Sequence, residues 1–113
     1  MSVYKYNLKG TSNSLPAFPG VYVLSGVTPN NFHSTFPIYK SIANFASYSS
    51  SLNDTADAML LLPGFRCVIY GSANYVTELE DFANTTSNIK IYDITNNNAA
   101  SSIKVYFGEN ELT

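Results

Sequence analysis

Two short stretches of oxygen-bearing residues each run straight into a β-type run. Asn53-Asp54-Thr55-Ala56-Asp57-Ala58 leads into Met59-Leu60-Leu61-Leu62, and Asn97-Asn98-Ala99-Ala100-Ser101-Ser102 leads into Ile103-Lys104-Val105-Tyr106-Phe107. A loop-then-strand unit occurring twice in 113 residues is a strong constraint. A chain of this length forms one domain, and two repeats of about 45 residues cannot each close a core of their own. The halves must therefore pack face to face as two sheets, with inward and outward residues alternating along each strand.

The rest of the chain supports an all-β reading. Nine Tyr and seven Phe suit a pleated surface better than a helix. Turn residues recur at short intervals: 9–14, 16–20, 26–31, Pro37, 47–54, Pro63-Gly64, Gly71-Ser72 and 96–98. Between them lie Val21-Tyr22-Val23-Leu24, Phe65 to Tyr70, Lys90 to Ile94 and Ile103 to Phe107, a spacing that predicts short antiparallel strands in a sandwich or barrel. Helix signals are limited to a turn or two over Glu78 to Ala83 and another over Ser41 to Phe45.

Laid side by side, the halves share an order of parts. A Gly introduces a β run (Gly20, Gly64), a hairpin carries Asn followed by an aromatic (Asn31-Phe32, Asn74-Tyr75), and the Asn/Asp loop leads into a last strand. Each half reads as one four-stranded unit.

The stretch Leu52 to Tyr70, the hairpin Ala73-Asn74-Tyr75 and the segment Asn97 to Phe107 together resemble a βγ-crystallin domain, most similar to the single-domain microbial type represented by spherulin. The resemblance implies two Greek-key motifs packed as a β-sandwich. Motif 1 spans about 20–62 and motif 2 about 63–107 within a domain covering 20–113, and residues 1–19 form an N-terminal extension that could add a strand. The family hairpin has an aromatic, four residues, an aromatic, one residue and then Gly. Tyr70 and Tyr75 fit this pattern, but Thr77 stands where the Gly is expected. In the first half the nearest match runs from Leu24 to Phe32 with extra residues, and Ser34 replaces the Gly. Because that Gly supplies a positive φ at little steric cost, Thr77 and Ser34 imply a reshaped or strained hairpin.

The resemblance also implies a cation chemistry. Ca²⁺ takes six to eight oxygen ligands from carboxylates, amides, carbonyls and hydroxyls, which both loops offer. In the family the two sites are shared crosswise between the halves. One would use Asp54, the Thr55 carbonyl, a hairpin carbonyl near Ser25 and the Ser101 hydroxyl. The other would use Asn98, the Ala99 carbonyl, a hairpin carbonyl near Gly71 and the Asp57 side chain. With one carboxylate per site, both should be weak, with Kd of ~10⁻⁵ to 10⁻³ M. The second loop matches the family pattern fully. The first has Asp57 for Ser/Thr and Ala58 in place of a final Ser that supports the loop by hydrogen bonding.

Other chemistry finds little footing. Only 12% of residues are charged and the net charge is −2, so there is no basic footprint for nucleic acid. His33 is the sole histidine and reads as a solvated loop residue. Cys67 shares a strand face with Phe65 and Ile69 and reads as a buried small hydrophobe. Glu78, Glu80 and Asp81 read as a solvated face, and no nucleophile, base and orienter can be assembled, so an enzyme is not expected. Chance accounts for the sequons at Asn53 and Asn84 in a sequence so rich in Asn and Ser.

The longest apolar run, Ala58 to Pro63, is far short of the roughly 20 residues that span a bilayer. No signal peptide is visible as the chain stands, and one unpaired cysteine favours a cytoplasmic protein, with secretion after processing left open. Two functional classes follow. One is a calcium-binding structural or stress protein, monomeric or weakly self-associating. The other is a non-enzymatic interaction module, such as an adhesion, toxin-like or inhibitor domain, that engages a protein partner through an aromatic-rich surface or the N-terminal extension.

Overall fold

The computed structural model describes residues 3–8, 11–16, 19–28, 31–49, 57–95 and 100–113, with side chains described over 19–24, 36–49, 57–95 and 100–113. Among the described residues, ten strands and one short helix follow in order: β1 (Val3–Leu8), β2 (Thr11–Pro16), β3 (Val21–Thr28), β4 (Asn31–Ile38), α1 (Phe45–Tyr48), β5 (Ala58–Leu61), β6 (Phe65–Ser72), β7 (Val76–Ala83), β8 (Lys90–Asp93), β9 (Ser102–Phe107) and β10 (Asn110–Glu111). β1 and β2 pair as a separate two-stranded sheet. The others form two antiparallel four-stranded sheets, sheet 1 in the order β4-β3-β5-β8 and sheet 2 in the order β10-β9-β6-β7.

The sheets do not coincide with the two halves of the sequence. β8 belongs to the second half but pairs with β5 in sheet 1, Met59 opposite Tyr92. In return, Ile42 of the first half bridges to Ile103 on β9 of sheet 2. The expected four-stranded unit per half is therefore corrected: each half lends its third segment to the other sheet, and in the first half that segment is reduced to a single bridge. Such a crossover ties the halves together and closes one shared core.

That core lies between the sheets. Val21, Val23, Met59 and Leu61 on sheet 1 face Cys67, Ile69, Ile103 and Val105 on sheet 2, all essentially inaccessible, and stacked rings of Phe82 and Tyr92 close one edge with centroids 5.1 Å apart. Cys67 is buried between Phe65 and Ile69, as the alternation predicts. Burial pushes its thiol pKa up. The unfolded thiol ionises above about pH 8.5 while the native one stays protonated, so Cys67 contributes stability that is present below that pH and lost as pH rises toward the raised native value. Urea melts should show unfolding free energy falling between pH 8 and 10, by up to about 1.4 kcal/mol per pH unit from this group, and Cys67→Ala should flatten the slope. An equal slope in both proteins would remove Cys67 from the account.

The expected helical turn over Glu78 to Ala83 is a strand. β7 pairs with β6 along its length, Cys67 opposite Phe82 and Val68 opposite Asp81. Leu79 and Phe82 are half-buried while most of β7 is exposed, so this edge strand lacks the clear alternation that would have announced it. The helix lies slightly later than expected, over Phe45–Tyr48, where Asn44 caps it by accepting from the Ala46 amide at 3.0 Å. Two acidic residues of β7 make structural bonds. Asp81 takes a two-pronged ion pair from Arg66, and Glu80 accepts from the Thr95 amide at 2.8 Å.

Candidate metal centre

Of the expected ligands, Asp54, Thr55, Asn98 and Ala99 lie outside the described residues, as does the side chain of Ser25. Asp57, Gly71, Ser101 and the backbone of β3 at Ser25 are described, and they reveal a repeated backbone frame. The Asp57 amide donates to the Leu24 carbonyl at 2.9 Å, and the Ser101 amide donates to the Tyr70 carbonyl at 2.8 Å. The Asp57 carbonyl accepts from the Ile94 amide at 3.0 Å, and the Ser101 carbonyl accepts from the Phe45 amide at 2.9 Å. Asp57 and Ser101 thus occupy equivalent positions, each held between the first strand of its half and a buried apolar residue of the opposite half.

This frame sets which hairpin each residue adjoins. Asp57 is beside Leu24 and hence next to Ser25, whereas Ser101 is beside Tyr70 and hence next to Gly71. The resemblance groups Ser101 with the Ser25 hairpin and Asp57 with that of Gly71. The backbone groups them the other way round.

The second hairpin is built tightly. Ser102 Oγ donates to the Ser72 carbonyl at 2.7 Å and accepts from the Tyr75 amide at 3.1 Å, and the Asn74 amide donates to the Ala43 carbonyl at 2.7 Å. Tyr70 and Tyr75 meet edge to face at 5.7 Å, and the Lys104 ammonium lies 5.0 Å from the Tyr75 ring centre. The final Ser of the loop pattern therefore pins the hairpin across from it. Its counterpart is Ala58, paired to Leu24 as Ser102 is paired to Tyr70, and Ala58 has no hydroxyl to do the same. In the first hairpin, register shifts at Ser25/Gly26 and Gly26/Thr28 take up the extra residues.

Asn74, Tyr75 and Thr77 all adopt positive φ, with Thr77 at 64°. The position that the family pattern gives to Gly is thus in the left-handed region with a β-branched side chain, where the Cβ clash costs roughly 1–2 kcal/mol. Thr77→Gly should raise stability by about 0.5–1 kcal/mol after the added flexibility of the unfolded chain is set against that relief. A thermal melt checks this, and a lower melting temperature would show that the Thr77 side chain contributes more than its backbone costs.

Among the described residues no group of three His, Cys, Asp or Glu side chains converges on a point. The described members of the expected ligand set are one carboxylate, one hydroxyl and backbone carbonyls of β3 and β6, donor types that a hard cation takes.

No family model matches the chain, and no curated protein matches it. A solved structure does, one described as "Evolution of the eye lens beta-gamma-crystallin domain fold". It superposes with a TM-score of 0.67 at 22% identity over 94% of this chain and 98% of that one. The fold is that of a βγ-crystallin domain. Two crossed Greek keys, the shared core and the paired Tyr70–Tyr75 hairpin accord with that architecture. No helix among the described residues is long and apolar enough to cross a membrane.

Proposed function

We propose that this protein is a calcium-binding structural domain, of the structural or stress class, in which two weak cation sites stabilise the fold. The observation that carries the reading is the matched frame of Asp57 and Ser101. Two of the residues that the loop pattern assigns as side-chain ligands sit at equivalent backbone positions, one bonded to the Leu24 carbonyl of β3 and the other to the Tyr70 carbonyl of β6. One site then comprises Asp57, the carbonyl near Ser25, Asn98 and the Ala99 carbonyl. The other comprises Ser101, the carbonyl near Gly71, Asp54 and the Thr55 carbonyl. The loops remain shared crosswise, and each site keeps one carboxylate.

Binding to the native state alone adds RT ln(1 + [L]/Kd). For Kd of ~10⁻³ to 10⁻⁴ M and about 5 mM Ca²⁺, that is about 1–2 kcal/mol per site. Thermal melts with and without Ca²⁺ test this. The melting temperature should rise in the native sequence and stay fixed in Asp54→Ala/Asp57→Ala. A melting temperature indifferent to Ca²⁺ in the native sequence would sink the proposal.

A further inference from the structure

The outer face of sheet 1 is dry, and the two sheets do not account for it. Cross-strand pairing sets Tyr22 opposite Leu60 and Leu24 opposite Ala58, on the face away from the Val23 and Met59 layer that meets sheet 2. All four are at most 4% exposed. The equivalent face of sheet 2 is covered only in part, at Val68 and Ser102. Arg66 lies over the Tyr106 ring at 4.7 Å, and Tyr70, Lys104 and Tyr106 remain half-exposed. On sheet 1 the corresponding positions carry apolar or aromatic residues without long charged stems. The Tyr22 hydroxyl is buried there and has no hydrogen-bond partner among the described residues.

The β1–β2 hairpin has the complementary pattern. Its register sorts the sequence into two sets: Tyr4, Tyr6 and Leu8 pair with Leu15, Asn13 and Thr11, while Val3, Lys5 and Asn7 pair with Pro16, Ser14 and Ser12. Residues directly opposite one another share a face, so Tyr4, Tyr6, Leu8 and Leu15 fall on one face with Asn13 and Thr11, and the other carries Lys5, Asn7, Ser12 and Ser14 with Val3 and Pro16 at its open end. Residues 17–20 are all that separate β2 from β3, and β1 approaches β4, the neighbour of β3 in sheet 1. A connection this short holds the hairpin close to the covered face, and an isolated two-stranded hairpin needs such a surface to be stable.

We infer that the apolar face of the N-terminal hairpin docks on the outer face of sheet 1 in the same chain, covering Tyr22, Leu24, Ala58 and Leu60 as a third layer of the fold. The hairpin is then an integral cover and not an arm held out for a partner, and its removal would expose an adhesive apolar patch.

The chain contains no Trp, so Tyr22→Trp introduces a single reporter, and Leu60→Cys a single reactive thiol beside the inert Cys67. In the full-length chain, Trp emission should be blue-shifted and poorly quenched by acrylamide, and labelling of the introduced thiol should be slow. Adding Tyr4→Ser/Tyr6→Ser should redden the emission and speed labelling at least about tenfold by raising the open population, whereas Lys5→Ser/Asn7→Ser should leave both unchanged. Failure of the Tyr4→Ser/Tyr6→Ser chain to fold, with the Lys5→Ser/Asn7→Ser chain melting normally, also supports the docking. Quenching and labelling unaltered in a folded Tyr4→Ser/Tyr6→Ser chain would overturn it. A dimer that dissociates on the same substitutions would overturn its placement within one chain.

Discussion

Phe45→Ala is expected to destabilise the protein by about 3–5 kcal/mol, the largest single effect among the substitutions considered. Phe45 is fully buried, although it opens a helix of only four residues. That helix has no stability of its own at this length, so the segment between β4 and β5 is held by what it buries and by its bonds to sheet 2. The Phe45 amide donates to the Ser101 carbonyl, and the neighbouring Ile42 exchanges two backbone hydrogen bonds with Ile103. Emptying the ring's site leaves a cavity that the sheets on either side cannot collapse into, and loosens the backbone carrying Ser101. The melting temperature should fall by on the order of 20 °C. On the calcium proposal both sites should weaken, because Ser101 serves one while Asn98 and Ala99, on the same loop, serve the other. A loss below about 1 kcal/mol would mean that the segment is not part of the core.

The second large effect is expected at Asn84, a buried amide whose role is structural. Its Nδ2 donates to the Leu61 carbonyl at 2.9 Å and to the Asn88 carbonyl at 2.7 Å, while its Oδ1 accepts from the Thr86 amide at 3.0 Å and the Thr86 hydroxyl at 2.7 Å. Its backbone bonds Gly64 and Phe65, so one residue ties the end of β7 to the β5–β6 connection and closes the turn before β8. Gly64 itself adopts φ +88°, and an added Cβ would press on the Phe107 ring at 2.7 Å, which leaves this corner little freedom to rearrange. Asn84→Ala removes all four of these side-chain hydrogen bonds from a buried corner and should cost about 2–4 kcal/mol. Asn84→Asp keeps the shape but sets carboxylate oxygen against two carbonyls. Its native pKa would be raised, so the defect is full above that raised value, eases as pH falls through it, and is gone below the unfolded Asp pKa of about 4. Urea melts of both variants at two pH values check this. An Asn84→Asp chain as stable as the original at neutral pH would contradict the assigned hydrogen bonds.

The parts of this fold that were legible in the sequence are those whose burial is written in alternation. The cores of β3, β6 and β9 fall where Val21 to Leu24, Phe65 to Tyr70 and Ile103 to Phe107 predict them, and the Tyr70–Tyr75 pairing marks a real aromatic contact. β7 was not legible because Glu78, Leu79 and Ala83 have good local helix propensity, and only pairing with β6 makes them a strand. The exchange of β8 for the Ile42 bridge could not be read at all, since sheet membership depends on contacts between distant residues. The extension was harder still: its Tyr4, Tyr6, Leu8 alternation is present in the sequence, yet it becomes informative only once the dry face of sheet 1 is known. At the candidate metal centre the oxygen-bearing residue types were visible in the loops. Which hairpin carbonyl accompanies Asp57 or Ser101 required the hydrogen bonds to Leu24 and Tyr70. The hydroxyl of Ser102 acts on the hairpin across the sheet, a role that its place in the loop pattern only hinted at.

The crosswise arrangement of the two sites is tested most directly by counting bound Ca²⁺ by calorimetry in paired substitutions. The native sequence should bind two ions. Asp54→Ala/Ser101→Ala should still bind one, because both changes strike a single site, whereas Asp54→Ala/Asp57→Ala should bind none. Failure of the native sequence to bind Ca²⁺, or loss of both ions in Asp54→Ala/Ser101→Ala while that chain remains folded, would contradict the account.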